Sequence, residues 1–164
     1  MNLMAIDAST KATGVAIFKD NKLIHYECIY AINTNVLDRI EKITNKLSEL
    51  ATEYSIDTVA LEDVLPEDVR KNKNVFTALI YLQAEIAMKF HLRNNLKINK
   101  LFVASEWRAL VNIKTGRGVK RDTLKEASIN YVKNNYQITV NDDVADAICI
   151  GLAYIAQNAV INWG

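Results

Sequence analysis

Near the start of the chain stands Met4-Ala5-Ile6-Asp7-Ala8-Ser9-Thr10-Lys11-Ala12-Thr13-Gly14-Val15-Ala16-Ile17, which points to a β-rich beginning. A short apolar run stops at an acid, a polar turn follows, and a second run rich in β-branched residues begins. Runs of this length bounded by turn residues read as buried strands rather than helices. The segments Thr13–Phe18 and Lys22–Ala31 are separated by the turn Lys19-Asp20-Asn21, so with Asn2–Asp7 they predict a three-strand meander.

Beyond the meander, Val36, Ile40, Ile43, Leu47 and Leu50 recur at helical spacing over Val36–Tyr54, with Asn35 as the expected cap. Asp57–Asp63 reads as a buried strand, and Leu65–Asn74 as a polar loop holding the lone Pro66. A second helix is expected over Val75–Leu92, where Phe76, Leu79, Ile80, Gln83, Ile86, Ala87 and Phe90 make one stripe. Leu101–Ala104 is a fifth strand, and Ser105 with Arg108 is a partial helix-start signal. Ile113–Lys120 is a basic glycine loop. A helix follows over Thr123–Asn134, started by Asp122, and a last helix begins near Asp142 or Asp143. Strands first, then alternating helix and strand, predict an α/β domain with a five-stranded mixed sheet flanked by helices.

At 164 residues, half of them hydrophobic, the chain suffices for one domain over its whole length, which excludes collagen-like, disordered and disulfide-scaffold classes. Cys28 and Cys149 stand in no zinc-binding spacing, and Met1–Ile6 lacks the features of a secretory leader, so a reduced intracellular setting is expected. The uncharged stretch Ala147–Gly164 reads as a core helix rather than a membrane span, because Gly151, Gln157, Asn158 and Asn162 interrupt it. Net charge is +1, but it is segregated: residues 70–133 carry 14 Lys/Arg against four acids, and the remainder six against 15. A basic segment of net +10 beside an acidic remainder of −9 suits a surface that holds a polyanion while acids elsewhere gather cations.

Two predicted strands end in an acid, Asp7 and Glu62, and the final helix opens with Asp142, Asp143 and Asp146. Helical spacing puts Asp146 on one face with either Asp143 or Asp142. Each acid alone has an ordinary structural use, as a helix cap, a turn former or a surface charge. Together, Asp7, Glu62 and Asp146 interrupt apolar runs where core residues belong, and neighbouring unneutralised carboxylates repel. A divalent cation resolves that conflict. Oxygen-only ligands suit Mg²⁺ or Mn²⁺, and two ions about 4 Å apart stabilise both the attacking and the leaving oxygen of a phosphodiester displacement.

The series Met4–Ile17, then Ala60-Leu61-Glu62-Asp63-Val64, then Asp143-Val144-Ala145-Asp146-Ala147-Ile148 resembles the RuvC family of Holliday junction resolvases, in a variant of phage type. Thr115-Gly116-Arg117-Gly118-Val119-Lys120 looks like that family's basic loop. The resemblance implies a ribonuclease H-like fold and a homodimeric, Mg²⁺-dependent endonuclease that nicks four-way DNA junctions, in the cytoplasm of a bacterium or a phage-infected host. It implies that Asp7, Glu62, Asp143 and Asp146 are the metal-binding acids, with two ions per site. Lys120 or Arg121 falls near the basic residue beside the scissile phosphate, and Leu65 where relatives carry a bulky residue that wedges into the junction. Lys114, Arg117, Lys120, Arg121 and Lys125 are the expected phosphate contacts. Ala8 and Ser9 stand where the family has Pro and Gly, and Leu65 replaces an aromatic, which points to a broader preference for branched DNA.

Two rival readings accompany this one. Asp-x-Ser-Thr-x-x-Thr-Gly between strands also resembles the phosphate loop of actin-like sugar kinases, but the chain lacks the length and glycines for their two domains. The other rival is a non-catalytic DNA-binding module in which the acids are only caps and solubilising charges.

Overall fold

The computed structural model describes residues 1–33, 35–65 and 72–163, with side chains as far as residue 159. Five strands form one mixed sheet in the order β3-β2-β1-β4-β5: β1 (Asn2–Asp7), β2 (Ala12–Lys19), β3 (Lys22–Tyr30), β4 (Thr58–Glu62) and β5 (Lys100–Phe102). The first three are the expected antiparallel meander, and β4 and β5 add in parallel beside β1. Asp20 and Asn21 both take positive φ between β2 and β3, as a tight hairpin requires.

Side chains alternate between two buried faces. Met4, Ile6, Val15, Ile17, Val59 and Leu61 point to one face. It is covered by α1 (Val36–Glu53), through Ile40, Ile43, Leu47 and Leu50. The C-terminal half of α2 (Lys73–Lys89) joins that core with Leu82 and Ile86. The opposite face carries Leu3, Ala5, Ala16, Phe18, Ala60 and Phe102. Against it pack α3 (Ala104–Leu110), α4 (Arg121–Tyr136) and α5 (Asp142–Trp163), with Trp107, Val132 and the run Val144–Ile150 in the core.

Several boundaries differ from the sequence expectation, each for a local reason. The helix expected over Val75–Leu92 begins at Lys73, where the Asn72 side chain caps it, and widens into a π-turn over Phe90–Asn94. That turn ends at Asn95 in the left-handed conformation. Its predicted stripe is buried only toward the C-terminal end, at Ile86 and Phe90; Ile80 is exposed. The last strand is shorter than Leu101–Ala104 because α3 already starts at Ala104. Helix α4 starts at Arg121, so Asp122 lies in its first turn rather than capping it. Asn35 caps α1 as expected, accepting from the backbone N–H of Leu37 and Asp38. Most of the polar loop expected over Leu65–Asn74, including Pro66, lies outside the described residues. Among the described residues no helix is long and apolar enough to cross a membrane.

Candidate active site

Strands β1 and β4 are parallel neighbours with Ile6 opposite Leu61, so Asp7 and Glu62 are the next pair along, at strand ends about 4.8 Å apart across the sheet. Alternation puts both on the face of Ala5 and Ala60, the face that α5 covers. The turn after Asp7 is tied back by hydroxyls: Thr13 Oγ1 donates to the Ser9 carbonyl at 2.7 Å and accepts from the Ser9 N–H at 3.1 Å. The Arg39 Nε donates to the Thr10 carbonyl at 3.0 Å, which holds the turn against α1. These bonds close a turn that carries Ala8 and Ser9 instead of proline and glycine.

The remaining acids come from the start of helix α5. Asn141 caps that helix, its side-chain oxygen accepting from the Val144 N–H at 2.9 Å, which leaves the carboxylates of the first turns unused as caps. Gly14, opposite Asp7 on β2, lets the helix approach: a Cβ there would run into the Asp143 carbonyl and the Val144 nitrogen. Gly14 therefore sets how closely Asp143 and Asp146 come to Asp7.

The electrostatics record that convergence. Burial first, then the charges of Glu62, Asp146, Asp143 and Asp142, hold the Asp7 carboxyl well above the usual carboxylate range. Asp146 is pushed up to about 7, mainly by burial; hydrogen bonding with Ser128 of α4 and the Arg108 charge pull against that, and Glu62 and Asp142 add to it. Asp143 is also raised, by burial and then by Asp142, with Lys125 opposing. Asp142 is distinguished from its neighbour by an ion pair to Lys125 at 3.4 Å.

Among the described residues no three Asp, Glu, His or Cys side chains converge closely enough to form a ready coordination shell. The donor chemistry nevertheless fits a divalent cation. The donors are hard carboxylate oxygens, they repel one another, and Oδ1 of Asp146 is buried with no hydrogen-bond partner. A buried, unpartnered acceptor among like charges is an arrangement that a cation stabilises.

Of the predicted DNA contacts, Lys114, Arg117, Lys120 and Arg121 are exposed, whereas Lys125 is half-buried and paired with Asp142. Gly116 and Gly118 take positive φ on either side of Arg117, so the loop turns on both and presents that arginine at its tip. Arg121, Lys125 and Ser128 fall four and three residues apart and line one face of α4, the face that meets Asp142 and Asp146. Lys120 precedes the helix at the cap position. Leu65 is half-buried, just beyond the β4 end that carries Glu62.

Sequence reasoning missed the partner of Glu62. Trp107 is fully buried in α3, and its indole N–H donates to Glu62 Oε1 at 2.6 Å. The Arg108 guanidinium lies 4.9 Å from the centre of that ring. A tryptophan followed by an arginine on a short helix was the only signal. Asn141 was missed too, although an Asn directly before an acidic helix start is an ordinary cap.

The family profile described as crossover junction endodeoxyribonuclease RuvC matches residues 3–154. A protein of that name from Ehrlichia ruminantium (strain Welgevonden) is 26% identical over 165 residues, covering 94% of this chain and 96% of its own. Among solved structures, the T. thermophilus RuvC in complex with a Holliday junction substrate superimposes with a TM-score of 0.75 at 12% identity, covering 98% of this chain and 96% of that one. The Fowlpox virus resolvase, solved with substrate Holliday junction DNA, gives 0.55 at 21% identity, covering 94% and 99%. The five-stranded mixed sheet agrees with these structural likenesses, and the profile match over nearly the whole length shows that the chain belongs to the RuvC family of crossover junction endodeoxyribonucleases.

Proposed function

We propose that this chain is a structure-selective DNA endonuclease that hydrolyses phosphodiester bonds at four-way junctions, using Mg²⁺ or Mn²⁺, two ions per site. The ligands are Asp7, Glu62, Asp143 and Asp146. The observation that carries the reading is the mutual repulsion of acids from β1, β4 and α5 around a partnerless Asp146 oxygen, in a chain of this family. The Lys125–Asp142 ion pair supports Asp143 rather than Asp142 as the fourth ligand, since Asp142 already has a cation.

Bound divalent ions would supply Lewis-acid stabilisation of the charge that builds on the attacked phosphate. The chain's own part is to hold the acids in register and to bring the phosphate to them. The pairing of β1 with β4 fixes Asp7 beside Glu62, and Gly14 fixes the depth of Asp143 and Asp146. Arg121 is favoured over Lys120 as the cation beside the scissile phosphate, because it shares a helix face with Lys125 and Ser128. Lys114, Arg117 and Lys120 contact more distant phosphates, positioning DNA without reading its sequence. Leu65, an aliphatic wedge, opens the junction centre without stacking on a base, which widens the range of branched DNA accepted.

Two symmetric nicks need two sites, and a two-fold homodimer supplies them. Helix α2 has the surface for it. Val75, Ile80, Tyr81 and Met88 are exposed there, and Tyr81 and Met88 border a groove of about 750 Å³ shared with Leu37 of α1.

The test is cleavage of labelled four-way, three-way, flap and linear DNAs with Mg²⁺, with Mn²⁺ and with EDTA. Metal-dependent nicking of branched DNA above linear duplex is the expected result. Binding without cleavage in any metal would leave a DNA-binding module, and ATP turnover without DNA would indicate a phosphotransferase.

A further inference from the structure

A buried indole N–H must find an acceptor, and most find a backbone carbonyl or a neutral side chain. Trp107 instead spends its only hydrogen on a carboxylate at the end of β4, 45 residues away in sequence, in a short charge-assisted bond of 2.6 Å. The donor is immobile. Its ring is fully buried against the sheet face that also carries Ala60 and Phe102, and Arg108 stacks on it. The acceptor is the opposite kind of group: glutamate has three rotatable side-chain bonds, and Glu62 stands where β4 gives way to a loop. Asp7 and Asp146, on shorter side chains, need less fixing.

Resting on the reading of Glu62 as a metal ligand, we propose that Trp107 is a positioning residue whose indole N–H fixes the plane of the Glu62 carboxylate for metal binding. Arg108 supports the same arrangement. Its guanidinium lies over the Trp107 ring, its charge acts on Asp146, and its Nε is buried without a hydrogen-bond partner. The element α3 thus belongs to the site as well as to the core. Groups that hydrogen-bond to metal-ligating carboxylates typically change metal affinity by 10–100-fold when removed.

The test uses the full chain and Trp107→Phe, which keeps an aromatic ring and deletes the N–H. Mn²⁺ binding is measured by calorimetry or electron paramagnetic resonance, and junction cleavage is measured against Mg²⁺ concentration. Expected are Mn²⁺ binding weaker by about tenfold, a Mg²⁺ half-saturation higher by a similar factor, and kcat at saturating metal within about twofold of wild type. A merely structural tryptophan would lower thermal stability or kcat and leave the metal half-saturation where it was; that result overturns the proposal.

A second readout keeps Trp107 in place. In ¹⁵N-indole spectra of the wild type, the Trp107 N–H resonance is expected to move on Mg²⁺ addition and to move again in Glu62→Gln. A resonance indifferent to both overturns the proposal. If wild type binds no Mn²⁺, the metal reading itself has failed and this inference falls with it. If wild type binds and Trp107→Phe binds equally, only the positioning role has failed.

Discussion

Replacing Asp146 by Asn removes a carboxylate that the metal-free fold holds at a disadvantage, so the variant should be more stable than wild type while inactive. The Asp146 pKa rises from 3.8 to about 7 on folding, through burial above all. A carboxyl raised in the folded state favours folding most below its unfolded value, and that contribution is lost as pH climbs through the folded value. The full difference converts to about 4 kcal/mol at about 1.4 kcal/mol per pH unit. Neighbouring acids share the protons, and the site relaxes, so about half of that, ~2 kcal/mol, is expected at pH 8. For a chain of this size such a gain raises Tm by about 4–8 °C. At pH 5 less than half of it remains, because the wild-type group is then mostly protonated in the fold. The assay is thermal unfolding by circular dichroism in EDTA at both pH values, with junction cleavage in Mg²⁺ alongside. An Asp146→Asn protein that melts at or below the wild-type temperature at pH 8 would refute the electrostatic picture, whatever its activity.

Three further outcomes follow from the same geometry. Gly14→Ala pushes a methyl group into the Asp143 carbonyl, so it should destabilise by about 1–3 kcal/mol in chemical denaturation and weaken Mn²⁺ binding together, since α5 must retreat from β1. Arg117→Gln combined with Arg121→Gln should reduce the slope of log K for junction binding against log salt by about 2, with little change in Tm, because both side chains are exposed. Tyr81→Glu and Met88→Glu, on the exposed side of α2, should shift the particle mass measured by light scattering from dimer to monomer without altering the circular dichroism spectrum.

The meander, both helices flanking β4, and the acids at the strand ends were legible because each rests on local pattern: period-2 runs, helical spacing, and a charge where an apolar residue belongs. Asp7 and Glu62 fall on the same sheet face for that reason, and Asp146 lies one turn beyond Asp142 and Asp143 by helical geometry. What could not be read are pairings between distant side chains. Nothing local distinguishes Asp142 from Asp143; only the packing of α4 on α5 brings Lys125 to one of them. Nothing local ties Trp107 to Glu62, which requires β5 to lie beside β4 so that α3 returns under the strand end. The second helix was legible as a helix but not in its outcome, because its stripe mixes core positions such as Ile86 with exposed ones such as Ile80. The π-turn at Phe90 likewise sits beside a long-range contact that no local pattern shows, Asn94 bonding Ser48 and Thr52 of α1.

Anomalous scattering from crystals soaked in Mn²⁺ is the most direct measurement of whether the acids act together. Density within ligand distance of Asp7, Glu62 and Asp146, with Asp143 completing the set and Trp107 still bonded to Glu62, is the expected result. Carboxylates that stay more than about 10 Å apart, or manganese bound elsewhere, would contradict a shared metal centre and with it the nuclease reading.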